Sequence, residues 1–191
     1  MTSALPVLIS AEQIHRRVGE LAEEIAPAFR GRPLTIVGVL TGSLMFLADL
    51  VRRLDVPLRI GFIQASSYRG ATTQPGTLHI DPEMRGDLRG RHVLLLDDIL
   101  DTGQTLRHLV AHLSELGAAS VRVAVLLRKR GRQVHEVHAD YVGFEIPDEF
   151  VVGYGLDFND EYRYLPYVAV LPRQQESGVT SQESNTRNAK S

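Results

Sequence analysis

The sequence contains no cysteine. That removes disulfides, thiolate nucleophiles and cysteine-based zinc sites, and it suits a reducing compartment. Charge of one sign is also missing: 21 basic residues meet 23 acidic ones, giving a formal charge of -2 and an isoelectric point near 6.4. Such a chain has no basic field for dominant nucleic-acid binding. No apolar run approaches the ~18 residues of a membrane span, and the N-terminal MTSALPVLISAEQ lacks a positively charged leader. These absences predict a soluble, cytoplasmic protein that engages neither membrane nor nucleic acid. Lysine is nearly absent as well, the basic residues dividing into 19 Arg and 2 Lys, Lys129 and Lys190. Signature loops are missing too: GxGxxG, GxxxxGK[ST] and GxSxG do not occur, so the common dinucleotide, Walker and hydrolase-elbow sites lack their anchors.

What is present is ordinary in amount and informative in order. The 191 residues, 43% hydrophobic and 23% charged, fit one globular domain. Ser10 with Gln13 reads as a capping box, and Ile14, Val18, Leu21 and Ile25 fall on one helical face, predicting a helix that stops near Pro27. Leu34–Leu40 (LTIVGVL) is a buried strand, followed by the turn Thr41-Gly42-Ser43 and an amphipathic helix carrying Leu44, Leu47 and Val51. Further strands are predicted at Leu58–Ala65, His92–Leu96, Val121–Leu127, Tyr141–Ile146 and Phe150–Tyr154. A third helix runs from Leu106 to a C-cap at Gly117. Between strand and loop, Ser66–Gly76 is polar and Gly/Pro-punctuated, which predicts a mobile loop. Residues 172–191 lack periodicity and large apolar side chains and are expected to form a disordered tail to a domain spanning 1–171. Strands alternating with helices predict an α/β fold with a mostly parallel sheet.

Chemistry concentrates in VLLLDDILDTGQT. Asp97 and Asp98 immediately follow a buried strand, Asp101 sits in the loop, and Thr102, Gly103 and Thr105 open a helix. Backbone N–H groups, threonine hydroxyls and the helix dipole together make an anion cradle for a phosphate monoester, with Gly103 permitting close approach. Two adjacent carboxylates repel unless hydroxyl donors or a divalent cation offset the cost. Phosphate beside a diol or Mg²⁺ describes ribose 5-phosphate. The competing reading is an acidic helix cap, which three acids and two threonines after one strand make a poor account. The His108/His112 pair has Leu109 where a zincin needs Glu, and His135 and His138 lie in a polar connection, so neither is read as a metal site.

This segment resembles the phosphoribosyl pyrophosphate signature of type I phosphoribosyltransferases. DYVGFEIPDEFVVGYGLDFNDEYRYLPYVAVL is similar to the C-terminal half of hypoxanthine (hypoxanthine-guanine) phosphoribosyltransferases, a resemblance running from about Ile9 to Leu171. It implies the type I phosphoribosyltransferase fold, a twisted parallel sheet flanked by helices with a small hood built from both chain ends, assembled as a homodimer or homotetramer. It implies transfer of 5-phosphoribosyl from phosphoribosyl pyrophosphate to a 6-oxopurine base, with Mg²⁺. Asp101 would be the catalytic acid/base facing purine N7. Thr102, Gly103, Gln104 and Thr105 would bind the 5-phosphate, and Asp97 and Asp98 the ribose hydroxyls, with Asp97 standing where many relatives have Glu. Lys129 would donate to O6, Phe150 would stack on the base and the Val151 backbone would read its edge. Asp157, with Asp97 and Asp98, would serve the metal, and Arg163 with Thr41, Gly42 and Ser43 would hold pyrophosphate. Thr41 stands where many relatives carry Lys. Ser67 and Tyr68 would close over the reacting centre. Two alternatives use the same residues: a phosphoribosyl pyrophosphate-sensing regulatory protein and a xanthine-guanine-type transferase.

Overall fold

The computed structural model describes residues 5–65, 78–80 and 88–172. The expected mobile loop, with Ser67 and Tyr68, and the tail after 172 lie outside these residues. Among the described residues, nine strands and three helices follow in chain order: β1 Val7–Ile9, α1 Ala11–Phe29, β2 Leu34–Leu40, α2 Leu44–Val51, β3 Leu58–Ala65, β4 Leu78–Ile80, β5 His92–Leu100, α3 Gln104–Glu115, β6 Ser120–Lys129, β7 Tyr141–Ile146, β8 Val151–Val152 and β9 Val168–Val170.

The main sheet has the order β4-β3-β2-β5-β6-β7. Five neighbours pair in parallel, and β4 adds an antiparallel edge to β3. Its central strands are apolar on both faces because helices cover both faces. Leu94 and Leu96 of β5 pack with Ile14, Leu21, Ile25 and Phe46 of α1 and α2, whereas Val93 and Leu95 pack with Leu106, Leu109 and Leu113 of α3. A second sheet, β1-β9-β8, is antiparallel and joins the two chain ends into the expected hood.

The capping box at Ser10 is complete, with Gln13 N–H donating to Ser10 Oγ at 3.2 Å and Ser10 N–H to Gln13 Oε1 at 2.8 Å. The helix does not stop near Pro27 but continues to Phe29. Proline deletes only one N–H, its lost partner is the carbonyl of the exposed Glu23, and the last turn is held by the fully packed Phe29. Two other boundaries move. β5 extends through the acidic pair, because its ladder with β6 persists to Leu100 opposite Arg128. Conversely, the expected strand Phe150–Tyr154 keeps only Val151–Val152, since Gly153 turns the chain at φ +98° against the Tyr167 carbonyl.

Candidate active site at the switch point of the sheet

Chain order reverses at β2: β3 lies on one side of it and β5 on the other. Loops leaving the carboxyl ends of β2 and β5 therefore diverge and leave a crevice between them, where ligands of open parallel sheets bind. The crevice here is a cleft of about 320 Å³ lined by Thr41 and Gly42 after β2, Asp97 to Thr105 after and at the end of β5, and Asp157 and Arg163 from the hood. Eleven residues proposed from sequence are thus brought to one place. Ser43 is not among them: it is fully buried and its Oγ donates to the Val39 carbonyl at 2.7 Å, so it braces the turn from within.

Asp97 is 8% exposed and sits against Asp98, whose N–H donates to Asp97 Oδ1 at 3.0 Å. Burial first, then the neighbouring Asp98 charge, pushes the Asp97 carboxyl well above the usual range. Burial raises Asp98 also, opposed by its hydrogen bonds with Asp97 and the backbone and, to a smaller extent, by the Arg163 charge. Two desolvated carboxyls with one nearby guanidinium form a site short of positive charge. Among the described residues no three metal-capable side chains converge on a point. The donor set fits a hard cation that draws most of its ligands from phosphate oxygens and water, the habit of Mg²⁺.

Gly42 is what allows the two loops to touch. A Cβ there would lie 1.7 Å from Asp98 Oδ2, while the carbonyl of Gly42 lies 2.0 Å from where Gly155 would carry one. Gly42→Ala should leave the thermal midpoint within a few degrees, because a carboxylate end can rotate away, yet lower kcat/KM about a hundredfold by displacing Asp98. Steady-state kinetics beside a melting curve reads both; unchanged kcat/KM would contradict the packing argument.

The residues expected to form the anion cradle stand at the start of α3. α3 begins after Gly103, which sits at φ +84° and has no side chain to cap the helix; Thr102 Oγ1 accepts a long 3.4 Å bond from Gln104 N–H. The loop is pinned from outside, the Thr102 carbonyl accepting from Val134 N–H at 3.1 Å and His135 N–H at 3.0 Å. Nothing in the sequence announces that strap. It also fixes Gly103, where a Cβ would meet the His135 carbonyl at 2.7 Å.

At the far end of the loop, Asp101 Oδ2 lies 3.4 Å from Lys129 Nζ and Asp101 Oδ1 lies 3.0 Å from Arg132 Nε. Asp148 completes the group, 3.5 Å from each cation. Lys129 is the best covered of the four, 11% exposed. Arg132 and Asp148 were not singled out by sequence, since isolated charges after strands carry no periodicity. The parallel pairing of β6 with β7, Lys129 opposite Ile146, explains why the residues just beyond both strands meet. Two residues past Asp148, Phe150 is 42% exposed and meets Phe158 edge-on, with ring centroids 5.7 Å apart. Val151 is buried, and β8 is the edge of its sheet.

The hood supplies the remaining groups. Arg163 pairs with Asp157 at 2.8 Å and donates to the Gly155 carbonyl at 2.7 Å. Asp157 Oδ2 accepts from Asp160 N–H at 2.9 Å, closing the turn that aims the pair at the cleft. His108 is exposed, as expected of a helix-surface position, whereas His112 is half-buried, its Nδ1 3.8 Å from Glu115 and its Nε2 covered without a hydrogen-bond partner among the described residues.

Residues 10–159 match the phosphoribosyl transferase domain. The chain is 44% identical over 165 residues to the hypoxanthine-guanine phosphoribosyltransferase of Streptococcus pneumoniae, covering 86% of this chain and 92% of that one. Among solved structures, a hypoxanthine phosphoribosyltransferase from Staphylococcus aureus superimposes with a TM-score of 0.81 at 38% identity, over 90% of this chain and 97% of that one. One from Trypanosoma cruzi gives a TM-score of 0.81 at 38% identity, over 90% and 94%. A cleft of this make-up at the switch point of this sheet, in a chain so similar over most of its length, places the chain in the hypoxanthine-guanine phosphoribosyltransferase family.

Proposed function

We propose that the cleft transfers 5-phosphoribosyl from phosphoribosyl pyrophosphate to hypoxanthine or guanine, a purine-salvage reaction. The observation that carries the reading is the 3.4 Å approach of Lys129 to Asp101 beside the acidic pair and the anion cradle. N7 and O6 are neighbours on one edge of a 6-oxopurine. A cation and a carboxylate side by side match that edge: Lys129 donates to O6 while Asp101 takes the proton from N7. Adenine presents an amino donor in place of O6 and would face the Lys129 ammonium donor to donor.

In the reaction the C1–O bond to pyrophosphate breaks, a C1–N bond to the base forms, and one proton leaves the base. Thr102 to Thr105 hold the 5-phosphate through backbone N–H groups and hydroxyls at the start of α3. Asp97 and Asp98 accept from the ribose hydroxyls and lie close to a C1 centre that becomes oxocarbenium-like as the bond stretches. Departing pyrophosphate gains negative charge, which Arg163 and the Thr41–Gly42 backbone oppose. With threonine at position 41, the loop contributes no cation of its own. Asp157, Asp97 and Asp98 would hold Mg²⁺, which when bound supplies charge neutralisation at the phosphate oxygens. Phe150, half-exposed and held edge-on by Phe158, offers a ring face for the base, and the unpaired side of β8 offers the Val151 backbone to its edge. Ser67 and Tyr68 are proposed to cover the centre against water. Residues 1–171 form the transferase unit, with the polar 172–191 outside it, acting in the cytoplasm as a homodimer or homotetramer. A site keeping Asp101, Lys129 and Phe150 together favours turnover over ligand sensing alone.

The test is a steady-state assay of the purified chain with phosphoribosyl pyrophosphate, Mg²⁺ and hypoxanthine, guanine, xanthine or adenine in turn. Turnover of hypoxanthine or guanine and none of adenine is expected; preference for xanthine would move the chain to the xanthine-guanine class. Lys129→Met sharpens the test. Arg132 remains within 3.0 Å of Asp101 and 3.5 Å of Asp148, so neither carboxylate is left without a cation. The substitution should raise purine KM about ten- to a hundredfold and flatten the preference among bases, with phosphoribosyl pyrophosphate KM within about twofold. The reverse pattern would show that Lys129 serves the other substrate.

A further inference from the structure

Tyr154 has no part in the reaction above, yet it is placed with unusual care. It is 6% exposed, its φ of +50° lies in the left-handed region, and glycines at +98° and +100° flank it. Its hydroxyl donates to Asp49 Oδ2 at 2.6 Å, bridging the hood to α2, 105 positions earlier in the chain. Asp49 is itself held by Arg52, and Arg53 donates to its backbone carbonyl at 2.7 Å while reaching His15 of α1. Burial, then the bond to Asp49, keep the phenol far above its usual range, so it remains a donor. A non-glycine residue in this conformation is costly and persists only where surrounding contacts impose it.

What that conformation places is the next residue. Tyr154 N–H donates to the Leu165 carbonyl at 2.8 Å and Gly155 N–H to the Arg163 carbonyl at 3.0 Å, while the Gly155 carbonyl accepts from Arg163 Nη1 at 2.7 Å. Gly155 lies directly against the Gly42 carbonyl, and Gly42 lies against Asp98. Contact is therefore unbroken from Asp49, through Tyr154 and Gly155, to the loop after β2, and by a branch to the Arg163–Asp157 pair. Asp49 sits on α2, the helix that this loop opens. The two ends of the chain of contacts thus close a ring around the loop.

We propose that Tyr154 and Asp49 form a clasp between hood and core that positions the pyrophosphate end of the cleft, with Tyr154 a positioning residue acting through Gly155 on Gly42 and Arg163. The inference rests on the assignment of that end to pyrophosphate. Removing the hydroxyl frees the turn without touching the base pocket, so its effect falls on one substrate alone. A purely structural bond would lower the melting temperature and leave the division between substrates unchanged.

Tyr154→Phe in the full chain should raise the KM for phosphoribosyl pyrophosphate, and weaken inorganic pyrophosphate binding measured by calorimetry, each by about tenfold, with purine KM within about twofold. Asp49→Asn keeps an acceptor oxygen and should behave as wild type; Asp49→Ala should reproduce Tyr154→Phe, and the double variant should be no worse than either single one. Phosphoribosyl pyrophosphate and pyrophosphate constants unchanged in both Tyr154→Phe and Asp49→Ala, or effects that multiply in the double variant, would overturn the clasp. Should the wild-type chain turn over no purine while Tyr154→Phe still weakens pyrophosphate binding, the transfer reaction falls and the clasp stands.

Discussion

Asp101→Asn should lower kcat on the order of 10²- to 10⁴-fold, the range of a lost general base. Asparagine keeps the size of the side chain and can still accept from Arg132, which bonds Asp101 Oδ1 at 3.0 Å, so the loop should hold its shape. It cannot take a proton from N7. The amide group would face Lys129 where Oδ2 now lies 3.4 Å away, so purine KM should rise modestly, and phosphoribosyl pyrophosphate KM least of all. Pre-steady-state measurement separates the chemical step from product release, and the loss belongs in the chemical step. A near wild-type rate for that step would remove Asp101 from proton transfer and require another acceptor at the base edge.

Removing divalent cations should have the other large effect. Asp97 is buried beside the half-buried Asp98, and Arg163, already paired with Asp157, is a cation acting on Asp98. Bringing a polyanionic substrate to within about 4 Å of an unscreened carboxylate costs about 4 kcal/mol at an effective dielectric constant of 20, roughly a thousandfold in affinity. Excess chelator is therefore expected to suppress turnover below about a thousandth of its value, and added Mg²⁺ or Mn²⁺ to restore it. Full turnover in excess chelator would mean that Arg163 and the backbone N–H groups suffice.

The parts of the fold legible in the sequence were those whose signal is local and long. LTIVGVL and HVLLL are continuous apolar runs because helices cover both faces of the sheet, and the Ser10–Gln13 box marks α1 because both of its hydrogen bonds are local. The hood strands Val7–Ile9 and Val168–Val170 span three residues each, too few for periodicity, and they exist because the two chain ends pair with each other. Pro27 misled about the end of α1 because the burial of Phe29 outweighs one lost bond. For the site, a signature contiguous in sequence, Asp97 to Thr105, was readable as such, and the resemblance added Lys129, Asp157 and Arg163. Arg132, Asp148, Tyr154 and the strap at Val134 and His135 were not readable. Each acts through a contact set by strand register or by a turn at positive φ, which only the assembled fold specifies.

The proposed cleft should bind a nucleoside monophosphate in a fixed direction, with phosphate on the start of α3 and the base between Lys129 and Phe150. A crystal structure of the chain with inosine monophosphate reads that direction atom by atom. Phosphate oxygens are expected within hydrogen-bonding distance of the Thr102 to Thr105 N–H groups, and O6 on Lys129 Nζ. Phosphate seated instead on the Thr41–Ser43 loop, or a base away from Lys129, would contradict it.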